Sequence, residues 1–322
     1  MSSQGSEPLG ETRCRWFSLA ESDALAQVPG PRIEVPIPTT GAFTPGKTAA
    51  ANLPLGTVLG ERYRLDSALG RGGQGVVYRG VDLEAPRLRR VAIKVRLCPS
   101  EGPPILAGLR HVNIQGFLDW GREGEFEFCV LRFHDSLDLR ARLDREGAFP
   151  APLVARWGAA LLRALGHLHR RNVLHRDVKP SNVLLAGQRP VLIDFDLACV
   201  GSRRERGLVG TPLYMSPERL AGQPAARDDD VFACALTVYE LVAGSLPNGP
   251  QDPETLEDLR RARQEPLPSC GDSGLDLILA QALAPGPDRL RSARALGKAL
   301  RAFAKEAGQP ELPTPPPLPE LG

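Results

Sequence analysis

VLHRDVKPSNVLLAGQRPVLIDFD, which runs from Val173 to Asp196, contains two short aliphatic segments with a carboxylate near each. The segments 183–185 and 190–193 are separated by four residues, so we predict a hairpin of two buried strands. Asp177 and Asp194 lie seventeen positions apart beside these segments. Burying a carboxylate is costly unless it binds a metal ion or a charged partner. The pattern therefore indicates a polar site built around the hairpin.

Two further residues of this stretch extend the polar site. Asn182, directly before the first predicted strand, supplies an oxygen ligand, and Lys179 supplies a positive charge. Mg²⁺ takes hard oxygen ligands and shares its coordination sphere with substrate phosphates. We therefore predict a magnesium–phosphate site around Asp177 and Asp194.

The composition is that of a globular protein from a reducing compartment. The 322 residues are 42% hydrophobic and carry a net charge of +2, so charge alone predicts no affinity for nucleic acid. The six cysteines form no C-x-x-C pair, which argues against a zinc site or a disulfide framework. The N-terminus has no apolar signal core and no run of about 18 apolar residues occurs, so we expect a cytoplasmic protein without a membrane partner.

The two ends of the chain differ in composition from its middle. Residues 1–60 are rich in Pro, Gly, Ser and Thr with little periodicity, and we predict a disordered tail there. Residues 305–322 form a second predicted tail, which is proline-rich and has PxxP spacing. Both tails are candidate docking segments for partner proteins, although a plain solvated tail is the simpler interpretation.

Residues 61–304 have the pattern of one folded block in two parts. Strand-like alternation comes first, in the segments 63–69, 75–81, 90–97, 114–118 and 125–133. Helical periodicity follows, and we predict helices at 152–170, 228–243, 253–263, 272–283 and 291–304. The predicted fold class is α+β, with a small antiparallel sheet lobe followed by a larger helical lobe.

A glycine-rich motif, LGRGGQGVV, occupies residues Leu69 to Val77. The same G-x-G-x-x-G spacing occurs in Rossmann sites, but a helix follows there, whereas a β-branched strand follows here. Glycines between antiparallel strands let backbone N–H groups approach phosphates. An ordinary glycine-rich hairpin has the same pattern, so the motif alone leaves both interpretations open.

A lysine lies on the third predicted strand, in the sequence Val91-Ala92-Ile93-Lys94. Strand alternation places Ala92 and Lys94 on one face, which we expect to be the face that the glycine motif covers. A lysine on an apolar strand needs a counter-charge to stay protonated, and nucleotide phosphates would supply one. The alternative is an edge-strand lysine whose ammonium group reaches solvent.

Together these motifs resemble those of the eukaryotic-type serine/threonine protein kinase family, over nearly all of residues 61–304. Five motifs occur in the family's order: the glycine motif, VAIK at 91–94, HRDVKPSN at 175–182, DFD at 194–196 and GTPLYMSPE at 210–218. The resemblance implies the bilobal protein-kinase fold. The openings and endings of the block, ERYRL at 61–65 and DRLRSA at 288–293, are similar to those of bacterial members.

The resemblance also implies a reaction, which is transfer of the γ-phosphoryl group of ATP, with Mg²⁺ or Mn²⁺, to Ser or Thr hydroxyls of a protein substrate. Asp177 is then the catalytic-loop residue that orients the hydroxyl and accepts its proton. Lys179 neutralises the transferring phosphoryl group, and Lys94 holds the α- and β-phosphates. Asn182 and Asp194 are the implied metal ligands.

The implied nucleotide site covers the glycine motif, the lysine strand and the segment that joins the lobes. Leu131 would line the back of the adenine pocket, and Phe133 would lie in the segment that meets adenine. The full set of implied nucleotide-binding residues is Leu69, Gly70, Arg71, Gly72, Gly73, Gln74, Gly75, Val76, Val77, Ala92, Lys94, Leu131 and Phe133.

The resemblance implies three supporting contacts outside the nucleotide site. Thr211 would brace Asp177 and Lys179, and Glu218 would pair with Arg289. Asp230 would bind the backbone of the catalytic loop.

Two departures from the family's pattern stand out. The family pairs the VAIK lysine with a glutamate on a helix, αC, but only seventeen positions separate Lys94 from His111. Two prolines, Pro103 and Pro104, follow the nearest acidic residue, Glu101, so we predict a helix reduced to about 105–109. Glu101 is the remaining candidate partner of Lys94.

The second departure is Asp196, which stands where the family has the glycine of DFG. Glycine permits unusual backbone angles there, and Asp is among the few other residues that adopt left-handed conformations. An additional carboxylate beside Asp194 would also attract a metal ion or repel phosphate.

Three functions therefore remain open from the sequence. The favoured one is an active protein serine/threonine kinase, since Asp177, Lys179, Asn182, Asp194 and Lys94 are all present. The second is a nucleotide-binding pseudokinase-like scaffold with little turnover, which the short αC region and the DFD motif motivate. The third is a small-molecule kinase of the same fold, and GTPLYMSPE, which shapes a protein-substrate platform in the family, argues against it.

Overall fold

The computed structural model describes residues 53–72, 75–85, 87–97, 104–201, 208–248, 255–286 and 288–308. Its first part is an antiparallel sheet of six strands in the order β1-β2-β3-β4-β6-β5. The strands are β1 (Val58–Leu59), β2 (Tyr63–Gly72), β3 (Gly75–Asp82), β4 (Arg89–Leu97), β5 (Phe117–Glu123) and β6 (Phe126–Arg132). The strands predicted at 63–69, 75–81, 90–97 and 125–133 are present with limits that shift by no more than three residues, whereas the strand predicted at 114–118 is displaced to Phe117–Glu123.

Alternation along β4 separates the core of the sheet lobe from its cleft. Val91, Ile93 and Val95 are fully buried and pack with Tyr63, Leu65, Tyr78 and Phe128 on one face. Ala92 and Lys94 lie on the other face because successive strand residues point in opposite directions. The β4 strand therefore carries the lysine on the face opposite its own core.

The predicted N-terminal boundary of the folded block is wrong. Residues 53–60, assigned to the tail, belong to the sheet lobe, because β1 pairs with β2 through Val58↔Arg64 and Leu59↔Tyr63. Leu59 is only 2% exposed, and Leu53 packs against the same core. The burial of two leucines stabilises a segment whose local composition gave no strand signal. Residues 1–52 and 309–322, which include most of both predicted tails, lie outside the described residues.

The second part is helical and is organised around one long buried helix. Its elements are α1 (Leu139–Glu146), α2 (Ala151–Arg170), β7 (Val173–Leu174), β8 (Val183–Ala186), β9 (Arg189–Leu192), β10 (Cys199–Val200), α3 (Pro217–Leu220), α4 (Arg227–Ala243), α5 (Leu256–Ala262), α6 (Ser273–Leu283) and α7 (Ala293–Glu306). The helix α2 packs against α4 and α7 through Gly158, where an added Cβ would lie 2.5 Å from Val238 Cγ2 and 3.0 Å from Leu300 Cδ1. This close packing leaves room only for glycine at position 158.

The hairpin predicted from the opening stretch is present as β8 and β9, paired from Val183↔Leu192 to Ala186↔Arg189. The predicted helices are also present, with limits that shift by no more than three residues. The sequence pattern did not indicate α1, α3 or the short strands β7 and β10. None of the helices in the described ranges has the length and hydropathy needed to cross a membrane.

The segment between β4 and β5 contains a single short helical turn within its described part, residues 104–116. A 3₁₀ turn spans Ile105–Gly108 after Pro104, and Leu106 is buried. This agrees with the predicted reduction of the helix to about 105–109. Glu101 lies outside the described residues.

Candidate active site

Asp177, in the loop between β7 and β8, has polar partners on both of its carboxylate oxygens. Its Oδ1 accepts hydrogen bonds from the Thr211 hydroxyl at 2.7 Å and from the Thr211 amide at 3.1 Å. Its Oδ2 accepts one from Asn182 Nδ2 at 2.8 Å and lies 2.9 Å from Lys179 Nζ. The carboxylate is 8% exposed, so these partners offset the cost of its burial and fix its orientation.

Lys179 is held in the same network. Its ammonium group donates a hydrogen bond to Thr211 Oγ1 at 2.6 Å and also pairs with Asp177. Thr211, from the segment before α3, therefore bridges the carboxylate of Asp177 and the ammonium group of Lys179, as predicted. A positive charge beside a carboxylate is an arrangement suited to a reaction in which negative charge moves between phosphate oxygens.

The backbone of the loop is fixed by a buried carboxylate at the start of α4. Asp230 is 2% exposed and accepts hydrogen bonds from the amides of His175, at 3.0 Å, and Arg176, at 2.8 Å. His169 Nε2 donates a third, at 2.8 Å. Burial opposes the charge of Asp230, but the hydrogen bond from His169 holds the pKa of this carboxyl below its usual range. The predicted contact between Asp230 and the loop backbone is confirmed.

Asp230 stabilises an unfavourable backbone conformation at Arg176. Arg176 has a φ of 68°, in the left-handed region, which costs of order 1 kcal/mol for a residue with a Cβ. Its side chain donates a hydrogen bond to the carbonyl of Leu197 at 2.5 Å. The bonds to Asp230 and Leu197 together hold the residue next to Asp177 in this conformation.

Asn182 and Asp194 form a donor set that fits a hard divalent cation. Both hydrogens of the Asn182 amide are used, by the carbonyl of Asp177 at 2.7 Å and its carboxylate at 2.8 Å, so Oδ1 is the atom left for a cation. Asp194 follows β9 and its side chain is 40% exposed. An amide oxygen and an accessible carboxylate are ligands that Mg²⁺ and Mn²⁺ accept.

Lys94 reaches across from the sheet lobe to two carboxylates of the second lobe. Its Nζ donates a hydrogen bond to Asp194 Oδ1 at 2.8 Å and forms a close ion pair with Asp196 Oδ2. Burial lowers the pKa of Lys94, but the two carboxylates outweigh it and raise the pKa to about 12. The lysine therefore stays charged within a largely enclosed site.

The two carboxylates respond differently to this environment. Burial disfavours the charge of Asp194, yet Lys94 holds its pKa below the usual range. Burial, together with repulsion from Asp194, raises the pKa of Asp196 in spite of Lys94. The tolerance of Asp for left-handed backbone is not used at position 196, because Asp194 has the positive φ, of 61°, and Asp196 has none.

Four of the implied nucleotide-binding residues lie on the cleft face of the sheet. The register pairs Val77 with Lys94 and Ala92 with Leu131, so these four side chains share a face. Leu69 is half exposed on β2, and Phe133 directly follows β6. Gly73 and Gln74, at the tip of the motif, lie outside the described residues.

Two positions of the glycine motif differ in what they offer a nucleotide. Val76 is fully buried in the core on the opposite face, so only its backbone is available to a ligand. Gly75 has a φ of 151°, and an added Cβ would lie 2.3 Å from the carbonyl oxygen of Val95. This position therefore requires glycine, and the remaining motif residues Gly70, Arg71 and Gly72 lie at the end of β2.

Comparison with known proteins agrees with this geometry. The family model described as protein kinase domain matches residues 63–270. The chain is 31% identical to the serine/threonine-protein kinase PkaA of Streptomyces coelicolor over 278 residues, which cover 78% of this chain and 51% of PkaA. It is 35% identical to PkaB of the same organism over 263 residues, which cover 73% of this chain and 61% of PkaB.

A third relative is the serine/threonine-protein kinase PknL of Mycobacterium tuberculosis. The identity is 30% over 281 residues, which cover 81% of this chain and 70% of PknL. The chain belongs to the protein kinase family. Its sheet lobe and helical lobe are the two lobes of the kinase fold, and its relatives are of the serine/threonine type. It spans 51%, 61% and 70% of the lengths of PkaA, PkaB and PknL.

The kinase motif GTPLYMSPE is anchored to the helical lobe by polar contacts along its length. Arg263 of the segment after α5 donates hydrogen bonds to the carbonyls of Leu213 and Met215. Tyr214 donates to Glu240 at 2.5 Å, and Ser216 bonds to Asp229. The described part of this segment is therefore a fixed surface beside Asp177.

The end of the GTPLYMSPE motif is fixed by the predicted pair of Glu218 and Arg289, whose side-chain atoms lie 2.7 Å apart. The structure adds two residues that the sequence pattern did not single out. Asp228 lies 3.4 Å from Arg289, and Arg291 contacts Asp228 at 2.6 Å and Glu218 at 3.1 Å. In the sequence, only the run of acidic residues 228–230 and the two arginines 289 and 291 could have suggested this network of four ion pairs.

Proposed function

We propose that the chain is an active protein serine/threonine kinase that transfers the γ-phosphoryl group of ATP to Ser and Thr hydroxyls of a protein substrate. The observation that carries the proposal is the orientation of Asp177 by Thr211, Asn182 and Lys179. A scaffold that only bound nucleotide would not need the carboxylate of Asp177, the ammonium group of Lys179 and the bridging Thr211 hydroxyl in one hydrogen-bonded network.

The roles of the residues follow from their positions. Asp177 accepts the proton of the substrate hydroxyl as the hydroxyl oxygen forms its bond to the γ-phosphorus. The bond from the γ-phosphorus to the bridging oxygen breaks, and ADP leaves with that oxygen. Lys179 stabilises the charge on the transferring group, and Lys94 positions the α- and β-phosphates.

Asn182 and Asp194 are the residues that would hold Mg²⁺. The bound ion would neutralise charge on the phosphates. Asp194 is accessible from the cleft, while Asn182 is tied to Asp177, so the metal ligands and the proton acceptor are linked through one amide group.

A protein substrate is favoured over a small molecule by the anchored GTPLYMSPE segment. Its contacts to Arg263, Glu240 and Asp229 hold a continuous surface next to Asp177. A surface of this kind suits an extended peptide chain that presents a hydroxyl to the catalytic loop.

The test is phosphoryl transfer from labelled ATP to a generic acceptor protein by the purified chain, with Asp177→Asn as the control. We expect label on Ser and Thr with the wild type and a loss of roughly a hundredfold or more with the variant, since a positioned general base contributes about that much. Equal signals from the two proteins would refute the proposal. Nucleotide binding without transfer would instead support the scaffold function.

A further inference from the structure

Lys94 carries a buried ammonium group, and such a group needs a lasting counter-charge. Its side chain is 17% exposed and lies on a strand whose neighbours Ile93 and Val95 are fully buried. Without a carboxylate nearby, burial would favour the neutral amine. Two carboxylates, those of Asp194 and Asp196, lie within ion-pair distance of Nζ.

These two carboxylates are not equivalent. Asp194 is 40% exposed and faces the cleft, where it is available to a metal ion, whereas Asp196 is 15% exposed. The Oδ2 atom of Asp196 is buried and forms a close ion pair with Nζ of Lys94. When Asp194 binds a cation, its charge is shared with that cation, so Asp196 is left as the full counter-charge of Lys94.

The segment that lines the other side of this site offers no carboxylate in its described part. Pro104, Ile105 and Leu106 line a cavity of about 280 Å³ together with Lys94 and Asp196. Residues 104–109 are Pro, Ile, Leu, Ala, Gly and Leu. The nearby Arg96 is paired with Glu127 on the neighbouring strand, so Glu127 is already engaged.

We propose that Asp196 is the permanent counter-ion of Lys94 and a positioning residue for the nucleotide phosphates, in the role of the family's αC glutamate, because the described part of the β4–β5 segment, residues 104–116, offers no carboxylate. This inference rests on the proposed kinase function. The backbone at Asp196 has no positive φ, so a side chain is accommodated there without backbone strain.

The position of Asp196 links the ion pair of Lys94 to the packing of the catalytic loop. Its neighbour Phe195 packs edge-on against His175 of the catalytic loop, with ring centroids 4.7 Å apart. His175 in turn lies 3.1 Å from the carbonyl of Ile193 through Nε2. Any movement of the segment 194–196 would therefore release Lys94 and unpack His175 together. The pairing of Lys94 therefore depends on the segment 194–196 itself.

Nucleotide binding by the full chain tests the proposal without relying on turnover. We expect Asp196→Asn to weaken binding of Mg-ADP, measured by isothermal titration calorimetry, by about tenfold to a hundredfold, the effect of losing one charged contact. Asp196→Gly, which restores the family's residue, should weaken it as much. Asp196→Glu, which keeps the charge, should recover part of the affinity. Glu101→Gln tests the rival partner and should leave affinity unchanged.

A double-mutant cycle separates positioning from a structural role. In the background of Lys94→Met, Asp196→Asn should cause no further loss of Mg-ADP affinity, because the partner of the carboxylate is already absent. An equal loss in both backgrounds, or a loss that a higher Mg²⁺ concentration removes, would overturn the proposal and indicate a structural or metal-binding role. Wild-type affinity in Asp196→Asn would also overturn it.

Failure of the proposed kinase function can be told apart from failure of the proposal about Asp196. If the wild type transfers no phosphate, the kinase proposal fails, while the calorimetric cycle still reports on the pair of Lys94 and Asp196. If the wild type is active, kcat should fall in Asp196→Asn in parallel with the affinity for nucleotide, with the KM for the acceptor protein unchanged. The melting temperature of each variant checks that it is folded.

Discussion

Thr211 Oγ1 lies 2.7 Å from Asp177 Oδ1 and donates a hydrogen bond to it, across 34 positions of the chain. The same oxygen accepts a hydrogen bond from Lys179 at 2.6 Å. One hydroxyl therefore ties the segment before α3 to both charged residues of the catalytic loop. The catalytic geometry depends on the position of a segment that lies outside the loop.

The first prediction concerns this hydroxyl. Thr211→Val keeps the shape of the side chain but removes both hydrogen bonds, so kcat for phosphoryl transfer should fall about tenfold to a hundredfold. Thr211→Ser keeps the hydroxyl and should retain most of the activity. The measurement is steady-state kinetics with labelled ATP. A serine variant as impaired as the valine variant would contradict the role of the hydroxyl.

The second prediction concerns Asp230, which binds the backbone of the catalytic loop from α4. Asp230→Asn replaces one acceptor oxygen by an NH₂ group that opposes a backbone N–H, so it should cost about 3 kcal/mol of unfolding free energy. Asp144→Asn, at a 63% exposed carboxylate on α1, should cost less than about 0.5 kcal/mol. Urea denaturation of both variants measures the difference. Similar losses would argue against a special role of Asp230.

The third prediction compares two arginines that contact the same two carboxylates. Arg289 is 1% exposed and Arg291 is 39% exposed, and both pair with Glu218 and Asp228. Arg289→Met should destabilise the fold by about 3 kcal/mol because it removes the buried partner of both carboxylates and leaves them only the more exposed Arg291. Arg291→Met should cost about 1 kcal/mol or less. Chemical denaturation gives both values, and a larger effect at Arg291 would contradict the argument from burial.

The fourth prediction compares two glycines of the same motif. Gly75→Ala should raise the KM for ATP and lower stability by about 1–3 kcal/mol, because its Cβ would lie 2.3 Å from the Val95 carbonyl oxygen. At Gly70 no atom lies within 4 Å of an added Cβ, so Gly70→Ala should lower stability by less than about 1 kcal/mol. Thermal melts and ATP titrations test both. Equal sensitivity at the two positions would refute this account.

The fifth prediction is a loss of stability in mild acid. Burial, with the nearby His167 and the arginines 163, 170 and 171, lowers the pKa of His111 from 6.5 to about 4. A histidine with a lowered folded-state pKa stabilises the fold above its unfolded pKa, and this stability is lost as pH falls towards 4. Protonation would also break the hydrogen bond that Nδ1 accepts from the Asn113 amide at 3.1 Å.

The size of this effect follows from the two pKa values. Between pH 8 and pH 5 the unfolding free energy should fall by about 2 kcal/mol through His111. His111→Asn removes the titrating ring and should flatten the pH dependence by that amount. Denaturation at a series of pH values measures it, and an unchanged slope in the variant would exclude His111 as its source.

The sequence by itself determined the hairpin 183–192, the sheet of the first lobe, the buried helices and the identity of the residues around Asp177. These features follow from local periodicity and from motifs whose spacing is contained within short segments, so they can be predicted without knowing which segments meet. The order of the motifs along the chain was sufficient to place the protein among kinases.

The tertiary structure alone decided which distant residues meet. Lys94 pairs with Asp194 and Asp196, which lie 100 and 102 positions away along the chain, and no periodicity connects a strand of one lobe with a loop of the other. Leu59 is likewise buried by a sheet that forms around it, although its local composition resembles a tail. Ion pairs and core contacts of this kind depend on distance in space, which only the folded chain defines.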